Sequence, residues 1–369
     1  MSQKIRVLHT EWSGGFGGQE IRILNEMEEM RKLGIHLALA TKENNRILPK
    51  AREMGFDTYI LPFKRKTDLH TIWNLHKILK RDSFDIINTH SGVDTWCGGF
   101  ASLGSGAKFI RTRHLSNKIH PSRFNFINSL ADFIITTGES VREAMIQDNR
   151  IKPARIQSIP TGIDTEIFNP SKYNKHEMRE KYKIPQNAFI VGNLGILRGF
   201  KRQDIFIEVA KTICQKHENL FFVIAGNGDM QASLENLTNK TNQEIGREVV
   251  RLVGFVKQPA EFLSTLDSFM LTSDKNEGVP QALIQALSME IPSIAADIGS
   301  IADLHCISQG KSNFILTPNP SKEEFTKALE SLICERDFIK PNREFIVENF
   351  SLKIMGEKIL SIYQKLLNP

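Results

Sequence analysis

Cysteine is scarce in this 369-residue sequence, and the four present, Cys97, Cys214, Cys306 and Cys334, never stand in a CxxC or CxH spacing. That excludes a disulfide framework and a zinc knuckle and fits a reduced, cytosolic setting. No apolar run approaches the ~20 residues that span a bilayer. The opening MSQKIRVLHTEW is too polar for the core of a secretory signal, so the expected location is the cytoplasm, with no membrane span and no export. Short-period repeats and low-complexity tracts are also missing, which removes solenoids. Glycine and proline, 24 and 14 residues, stand near average usage, and with 40% apolar and 24% charged residues the collagenous, coiled-coil and disordered classes fall away. A globular chain remains, long enough for two or three domains with sizeable cores.

Acid is deficient in one half only. The first 168 residues hold 24 basic and 18 acidic side chains, whereas the remaining 201 hold 24 of each, so the whole excess of +6 lies in the first half. Its basic positions include Lys64, Arg65, Lys66, Lys77, Lys80, Arg81, Arg111, Arg113, Lys118 and Arg123. They read either as an ordinary solvated surface or as a face for anionic lipid headgroups or a phosphorylated acceptor, where each cation contributes ~1 kcal/mol. Nucleic acid is not expected as a partner, because no finger, aromatic RNA-binding box or basic helix is present.

Apolar runs near 5–8, 35–40, 57–61, 84–89, 108–112, 132–136 and 155–159 are spaced by segments long enough for helices, the first of them over 20–33. Unalternating strands separated by helices imply a parallel sheet covered on both faces. IPTGIDTEIFNPSKYNK (159–175) breaks the pattern as a linker does. A second series of runs follows, near 189–194, 220–225, 249–253, 267–271, 292–296 and 313–316, and a terminal helix after Phe350 carries Leu352, Met355, Ile359 and Tyr363 on one stripe. The expected fold is α/β: two Rossmann-like, doubly wound domains, 1–168 with 352–369, and 169–351. Ligands bind beyond the carboxyl ends of such strands, which predicts a cleft between the two sheets and directs attention to the loops there.

The first such loop, WSGGFGGQEIRI (12–23), enters a helix, so its amides can receive a phosphate or a sugar oxygen; a plain tight turn is the alternative. Its glycines do not make the GxGxxG spacing of a dinucleotide site, and no acidic residue closes the second strand. In VGNLGILRGFKRQD (191–204), Arg198 and Lys201 precede a helix N-terminus, against the dipole preference unless an anion is bound. A diphosphate supplies that anion, with Arg as a bidentate fork and Lys as a point charge. AGNGDM (225–230) is a turn open to close backbone approach. SDKNEGVPQALIQALS (273–288) sets Glu277 and Gly278 before Pro280 at a helix start, with Gln285 about one turn in. A capped core helix accounts for Pro280 and for Ala282, Leu283, Ala286 and Leu287, but not for Glu277. THSGVDTW (89–96) and RTRHLS (111–116) each follow a strand and place His90, Asp94, Arg113 and His114 at successive strand ends, which a purely structural role for lone histidines explains less well. His36, His70, His76, His217 and His305 share no such loops and are read as structural. No spacing calls for a metal.

The GG-x-E loop, the Arg198-x-x-Lys201 pair, the Gly-x-Gly turn and SxxxEGxPxxxxxA together closely resemble the retaining glycosyltransferases of family 4, with the GT-B fold, over essentially the whole chain. By that resemblance Arg198, Lys201, Glu277 and His90 are the catalytic candidates. The donor nucleotide-sugar would meet Gly17, Gly18, Gly195, Asn227, Gly228, Gly254, Phe255, Val256, Gly278, Val279, Pro280, Gln281 and Gln285. Glu20, Asp94, Arg113 and His114 would stand on the acceptor side, with His90 and Asp94 also placed for the donor sugar. Gln285 departs from the family, which commonly has a second glutamate there on the ribose hydroxyls; Gln still donates and accepts hydrogen bonds. The first-half motifs resemble a bacterial surface-polysaccharide subset.

The resemblance implies a transferase that moves a sugar from a nucleotide diphosphate sugar to a hydroxyl of a cell-surface glycan or glycolipid precursor, as in lipopolysaccharide synthesis. Retention of configuration, no cofactor, no metal and peripheral contact with an anionic membrane are further expectations. A nucleotide-sugar epimerase or hydrolase on the same fold, and a non-catalytic sugar-nucleotide-binding protein, are the alternatives, because fold does not fix reaction.

Overall fold

Strands that are apolar on both faces need helices on both, and each half of the chain supplies them. The computed structural model describes residues 4–114, 119, 126–275, 277–335 and 339–368. They form two units, one up to Gly162 together with the chain from Leu352, the other Ile163–Ser351. The break precedes the expected boundary after Phe168 because Ile163 and Phe168 both pack into the core of the second unit. Lys118 and Arg123, placed on the basic face, lie outside the described residues, as do Leu115 and Ser116 of the RTRHLS segment.

The first unit runs β1 (Arg6–Glu11), α1 (Gly18–Lys32), β2 (His36–Thr41), α2 (Ile47–Glu53), β3 (Asp57–Ile60), α3 (Leu69–Arg81), β4 (Ile86–Thr89), α4 (Gly92–Ser102), β5 (Lys108–Arg113), α5 (Ile127–Leu130), β6 (Phe133–Thr136), α6 (Glu139–Gln147) and β7 (Ile156–Ser158). The sheet is parallel with order β3-β2-β1-β4-β5-β6-β7. Val7, Ile86 and Ile110 face Ile23 and Met27 of α1, whereas Leu8, Ile87 and Phe109 face Leu75 and Leu79 of α3 and Ala101 of α4.

The second unit runs α7 (Lys175–Lys181), β8 (Phe189–Leu194), α8 (Gln203–Ile213), β9 (Leu220–Ala225), α9 (Gln231–Ile245), β10 (Val250–Gly254), α10 (Pro259–Leu263), β11 (Ser268–Leu271), α11 (Gln281–Ser288), β12 (Ser293–Ala296), β13 (Ile307–Ser308), β14 (Lys311–Ser312), β15 (Ile315–Thr317), α12 (Lys322–Cys334) and α13 (Arg343–Phe350). Its six-stranded parallel sheet has order β10-β9-β8-β11-β12-β15, with β13-β14 a separate hairpin. The terminal helix α14 (Leu352–Leu367) belongs to the first unit, where Met355, Ile359, Ile362 and Tyr363 join the core under α1.

Strand order reverses between β1 and β4 in one sheet and between β8 and β11 in the other. Loops leaving a parallel sheet on either side of such a switch point diverge and leave a crevice at the carboxyl edge. Both polar constellations described next sit at these two places.

Candidate functional site

In the second unit the switch point brings a cation and a carboxylate together. The chain leaves β8 through a single helical turn at Gly199–Lys201, and the loop after β11 carries Ser273 and Glu277. Lys201 Nζ donates to Glu277 Oε1 at 2.5 Å, and Ser273 Oγ donates to the same oxygen at 2.5 Å. The turn is pinned from below: Thr272 Oγ1 donates to the Lys201 carbonyl at 2.9 Å, and the Asp274 amide donates to Phe200 O at 3.0 Å. Arg202 takes a left-handed conformation, φ 50°, where a β-carbon is disfavoured. Its guanidinium holds that turn by bonding Asp204 at 3.0 Å and Asp274 at 3.2 Å. The acids thus answer Lys201 and Arg202, whereas Arg198 is exposed and its side chain has no partner among the described residues.

The glycines form a cradle beside that pair. Gly195 N–H donates to Ala225 O at 3.0 Å, Leu197 N–H to Asn227 O at 2.9 Å and Gly226 N–H to Gly254 O at 2.8 Å, so the ends of β8, β9 and β10 are tied backbone to backbone. A β-carbon on Gly226, φ +149°, would lie 1.8 Å from Gly195 O, and one on Gly228, φ +157°, 2.4 Å from Leu197 O. No other residue fits these two positions. Gly195 itself has nothing within 4 Å of where a β-carbon would stand, so its surface is open. Phe255 is exposed and Val256 buried next to this turn. Pro280 is the N-cap of α11 and Gln281 its first residue; Leu283 N–H donates to Pro280 O at 3.1 Å, which leaves the Gln281 and Ala282 amides at the helix end near Gly278 and Val279. Gln285 lies one turn in and is partly exposed. Gly299, unsuspected from sequence, packs against the Glu277 loop: at φ +62° a β-carbon would be 1.9 Å from the Glu277 carbonyl.

In the first unit Glu20 closes the glycine loop, accepting from Gly17 N–H at 2.7 Å and from Ser13 Oγ at 2.5 Å, while Gly18 remains exposed. The centre of the loop is Glu11, the last residue of β1. Its carboxyl accepts from the Ser13 amide, Gln19 Nε2 and Ser91 Oγ. Burial, then the charge of Asp94, push Glu11 up to about 7 against those hydrogen bonds. Glu11, Ser13, Gln19 and Ser91 were not singled out from sequence; the available signal was only their place in the segments that leave the two strands flanking the reversal, Glu11, Ser13 and Gln19 from the end of β1 to the start of α1, and Ser91 between β4 and α4.

Asp94 caps α4. It accepts from Ser91 N–H at 2.9 Å, His90 N–H at 2.8 Å and Thr10 Oγ1 at 2.9 Å, and it is fully buried, so no oxygen is presented to a ligand. His90 is buried as well, with both ring nitrogens engaged by other histidines, His9 and His114. His114 is only partly buried. Arg111 is a correction to the basic surface: it is buried, donating to Ser91 O at 2.6 Å and to Thr95 Oγ1. Arg113 is half-buried, and burial, then the neighbouring Arg111 charge, lower it to about 10. Lys64, Arg65, Lys66, Lys77, Lys80 and Arg81 are exposed as expected.

Beneath the histidines lies a buried ionic layer that sequence did not announce. Arg22 and Glu26 of α1 are both fully buried, 3.7 Å apart at the closest charged atoms. Arg22 Nη1 donates to Thr161 Oγ1 at 3.2 Å, and Glu26 Oε1 accepts from Asn88 Nδ2 at 3.2 Å and from the Tyr363 hydroxyl at 3.5 Å. Burial lowers Arg22 and raises Glu26 and Tyr363. No set of three or more His, Cys, Asp or Glu among the described residues is arranged to hold a metal ion, and no helix among them is long and apolar enough to cross a membrane.

Comparison with known proteins finds matches over both units. The family model described as Glycosyltransferase Family 4 matches residues 16–167, and that described as Glycosyl transferases group 1 matches residues 174–349. The UDP-Gal:alpha-D-GlcNAc-diphosphoundecaprenol alpha-1,3-galactosyltransferase of Escherichia coli is 24% identical, over 98% of this chain and 97% of that protein. The GPI3 subunit of phosphatidylinositol N-acetylglucosaminyltransferase from Saccharomyces cerevisiae is 22% identical over 78% of this chain and 66% of that one. Among solved structures, a glycosyltransferase from Rickettsia africae superposes with a TM-score of 0.85 at 19% identity, covering 99% of both chains. Anabaena HepE in complex with UDP-glucose gives 0.81 at 17% identity, covering 98% of this chain and 100% of that one. These structural likenesses establish the fold.

Proposed function

The chain belongs to the glycosyltransferases, with a family 4 first half and a group 1 second half on the GT-B fold, and from that premise we propose that it transfers a sugar from a nucleoside diphosphate sugar to a hydroxyl of a polysaccharide or glycolipid precursor. The observation that carries the donor class is the Lys201–Glu277 pair, flanked by the unanswered Arg198 and by the glycine cradle at one switch point. Arg198, Lys201 and the first-turn amides of α11 take the diphosphate, and the cradle takes the nucleoside against bare backbone. As the bond from the anomeric carbon to the diphosphate oxygen breaks, negative charge grows on the leaving group, where these donors stabilise it.

Retention follows if the acceptor oxygen bonds to the anomeric carbon on the face the diphosphate leaves, its proton passing to a diphosphate oxygen. No protein base is then required, and neither Glu277, already paired, nor Asp94, fully capped, is placed as one. We assign neutralisation of the diphosphate to Arg198, Lys201 and the amides, without a metal. UDP-galactose and a polyprenyl-diphosphate-linked sugar, named in the Escherichia coli relative, are the first donor and acceptor to try. The exposed Lys64, Arg65, Lys66, Lys77, Lys80 and Arg81 are the cations that would draw the first unit to the anionic membrane surface in which such an acceptor resides.

The test is a thermal-shift and transfer experiment with UDP, GDP, ADP, CMP and their sugar conjugates. One nucleotide should stabilise the wild type and not the Arg198→Ala/Lys201→Ala variant, and its sugar conjugate should yield a product of unchanged anomeric configuration. Turnover of the donor at the same rate with and without acceptor would favour a hydrolase or epimerase instead.

A further inference from the structure

Three imidazoles in the first unit form one hydrogen-bonded chain. His9 Nδ1 lies 2.9 Å from His90 Nε2, and His90 Nδ1 lies 2.9 Å from His114 Nε2. The ring centroids are 5.2 Å apart in both pairs while the nitrogens are 2.9 Å apart, with planes differing by 12° and 34°, so each contact runs between ring edges. The three residues come from the end of β1, from the residue after β4 and from the residue after β5, on the sheet face that α1 covers.

At each N···N contact one nitrogen must carry the proton and the other must not. Three neutral rings own three N–H groups, of which two lie inside the chain. The third stands at one end or the other, so only two arrangements exist. In one the spare N–H is His9 Nε2; in the other it is His114 Nδ1. His9 is fully buried and its Nε2 has no hydrogen-bond partner among the described residues, while His114 is partly exposed. A buried N–H with no acceptor is the rarer and costlier orphan, and a bare lone pair at the blind end is the cheaper one.

We propose that His9 is a positioning residue that fixes one polarity on this chain, from His9 to His90 to His114, so that His114 presents Nδ1–H as a donor and the atom it recognises is an acceptor oxygen of the bound ligand. Burial, first among the causes, lowers His9 to about 3 and His90 and His114 well below the usual imidazole range. The charges of Arg22 and Arg111 lower both His90 and His114, and that of Arg113 lowers His114 further. The chain therefore stays neutral near pH 7 and cannot satisfy both ends by taking an extra proton. His90, with both nitrogens spent, acts through its neighbour. That the ligand is a sugar nucleotide or a glycan rests on the transferase reading above; the polarity does not.

The test uses the full chain labelled with 15N-histidine, whose two-bond proton–nitrogen correlations separate Nδ1–H from Nε2–H rings. The wild type should show His9, His90 and His114 as Nδ1–H tautomers, with the other form of His114 at least about tenfold less populated. In His9→Ala the vacated space admits a water that can donate or accept, which equalises the two polarities, so His114 should show both tautomers. In His9→Asn the side-chain amide restores a donor to His90 Nε2, and the single Nδ1–H form should return. Turnover should follow the same order, falling about tenfold in His9→Ala and recovering in His9→Asn. An Nε2–H His114 in the wild type overturns the proposal, and so does a folded His9→Ala protein in which His114 keeps one tautomer. The wild-type spectrum decides even if a variant fails to fold. Absence of nucleotide binding with these tautomers intact would defeat the transferase reading alone.

Discussion

Lys201 and Glu277 meet at 2.5 Å across the reversal of the second sheet, one from the turn after β8 and the other from the loop after β11. Both are mostly buried, at 17% and 7% side-chain exposure, so the pair is screened weakly and its geometry is held by Thr272, Ser273 and Asp274. Lys201→Met and Glu277→Gln should each lower turnover by ~10²–10³ while the protein stays folded. Because the two act as one unit, the double variant should be no more than a few-fold worse than the poorer single one. Steady-state transfer rates beside circular dichroism spectra check this.

Glycine positions separate structure from ligand approach. Gly299→Ala drives a β-carbon into the Glu277 carbonyl at 1.9 Å with φ +62°, so the loop must move. Turnover should fall as in Glu277→Gln, with a stability loss on the order of 1–3 kcal/mol. Gly195→Ala meets nothing within 4 Å and should leave the melting temperature unchanged. If the cradle takes a nucleotide against its backbone, the same Gly195→Ala protein should bind the stabilising nucleoside diphosphate at least about tenfold more weakly, by calorimetry.

Gln285 is partly exposed one turn into α11, and if it meets the ribose hydroxyls, as the resemblance implies, a carboxylate there would add charge to those hydrogen bonds. Charge-assisted bonds are about twice as strong as neutral ones. Gln285→Glu should therefore tighten binding of the nucleoside diphosphate by up to about tenfold, read by the same titration.

The parallel sheets were legible because strands buried on both faces carry unbroken apolar runs such as IRVL and LFFVIA, each ending in a turn with glycine or a cap. Arg198, Lys201, Glu277 and the glycines were legible because they lie in loops directly after such runs. Glu11 and His9 were not: within β1 they read as strand residues, and only the strand order sets them beside Ser91 and His90. Arg111 looked like a surface cation since nothing in RTRHLS tells that Ser91 O and Thr95 receive its guanidinium. Pairings across strands far apart in sequence are tertiary facts that no local pattern encodes.

Acid should weaken the first unit before the second. His9 falls from 6.5 to about 3 on folding, and His90 and His114 fall too, so below pH 6.5 the unfolded chain binds protons that the folded one refuses. That stability is present above pH 6.5 and lost as pH falls toward the folded values. Glu11, raised from 4.5 to about 7, works in the opposite sense, since its contribution is present below pH 4.5 and lost as pH rises through 7. Glu26 and Asp94 are raised as well, so three carboxyls oppose the three histidines down to about pH 4.5; below that the carboxyls are protonated folded and unfolded alike, and net stability should decline on the order of a few kcal/mol toward pH 3 while the histidines stay neutral. Hydrogen exchange should show it in β1, β4 and β5 and not in β8 or β11. There the burial of Asp267 is outweighed by its bonds to Lys175 and the Ile190 N–H, so it is lowered and keeps its contribution until pH falls below 3.8.

Arg22 and Glu26 make the last prediction, because their burial is complete and their pairing is not. At 3.7 Å, Arg22 Nε and Glu26 Oε2 are attracted but not hydrogen-bonded, and neither these two atoms nor Arg22 Nη2 has a hydrogen-bond partner among the described residues. Removing one charge leaves the other alone in a low-dielectric layer, which costs ~3–5 kcal/mol, whereas replacing both by groups of similar volume is often close to neutral. Arg22→Met should therefore destabilise strongly in urea unfolding. Arg22→Met/Glu26→Gln should recover most of the loss, since Gln keeps an oxygen for Asn88 and Tyr363. An ion pair retained where a neutral pair would serve stability equally well points to its field. The Arg22 charge lowers both His90 and His114, so in the recovered double variant those rings should begin to titrate at higher pH than in the wild type. Histidine spectra that stay unchanged in that variant would assign the pair to packing alone.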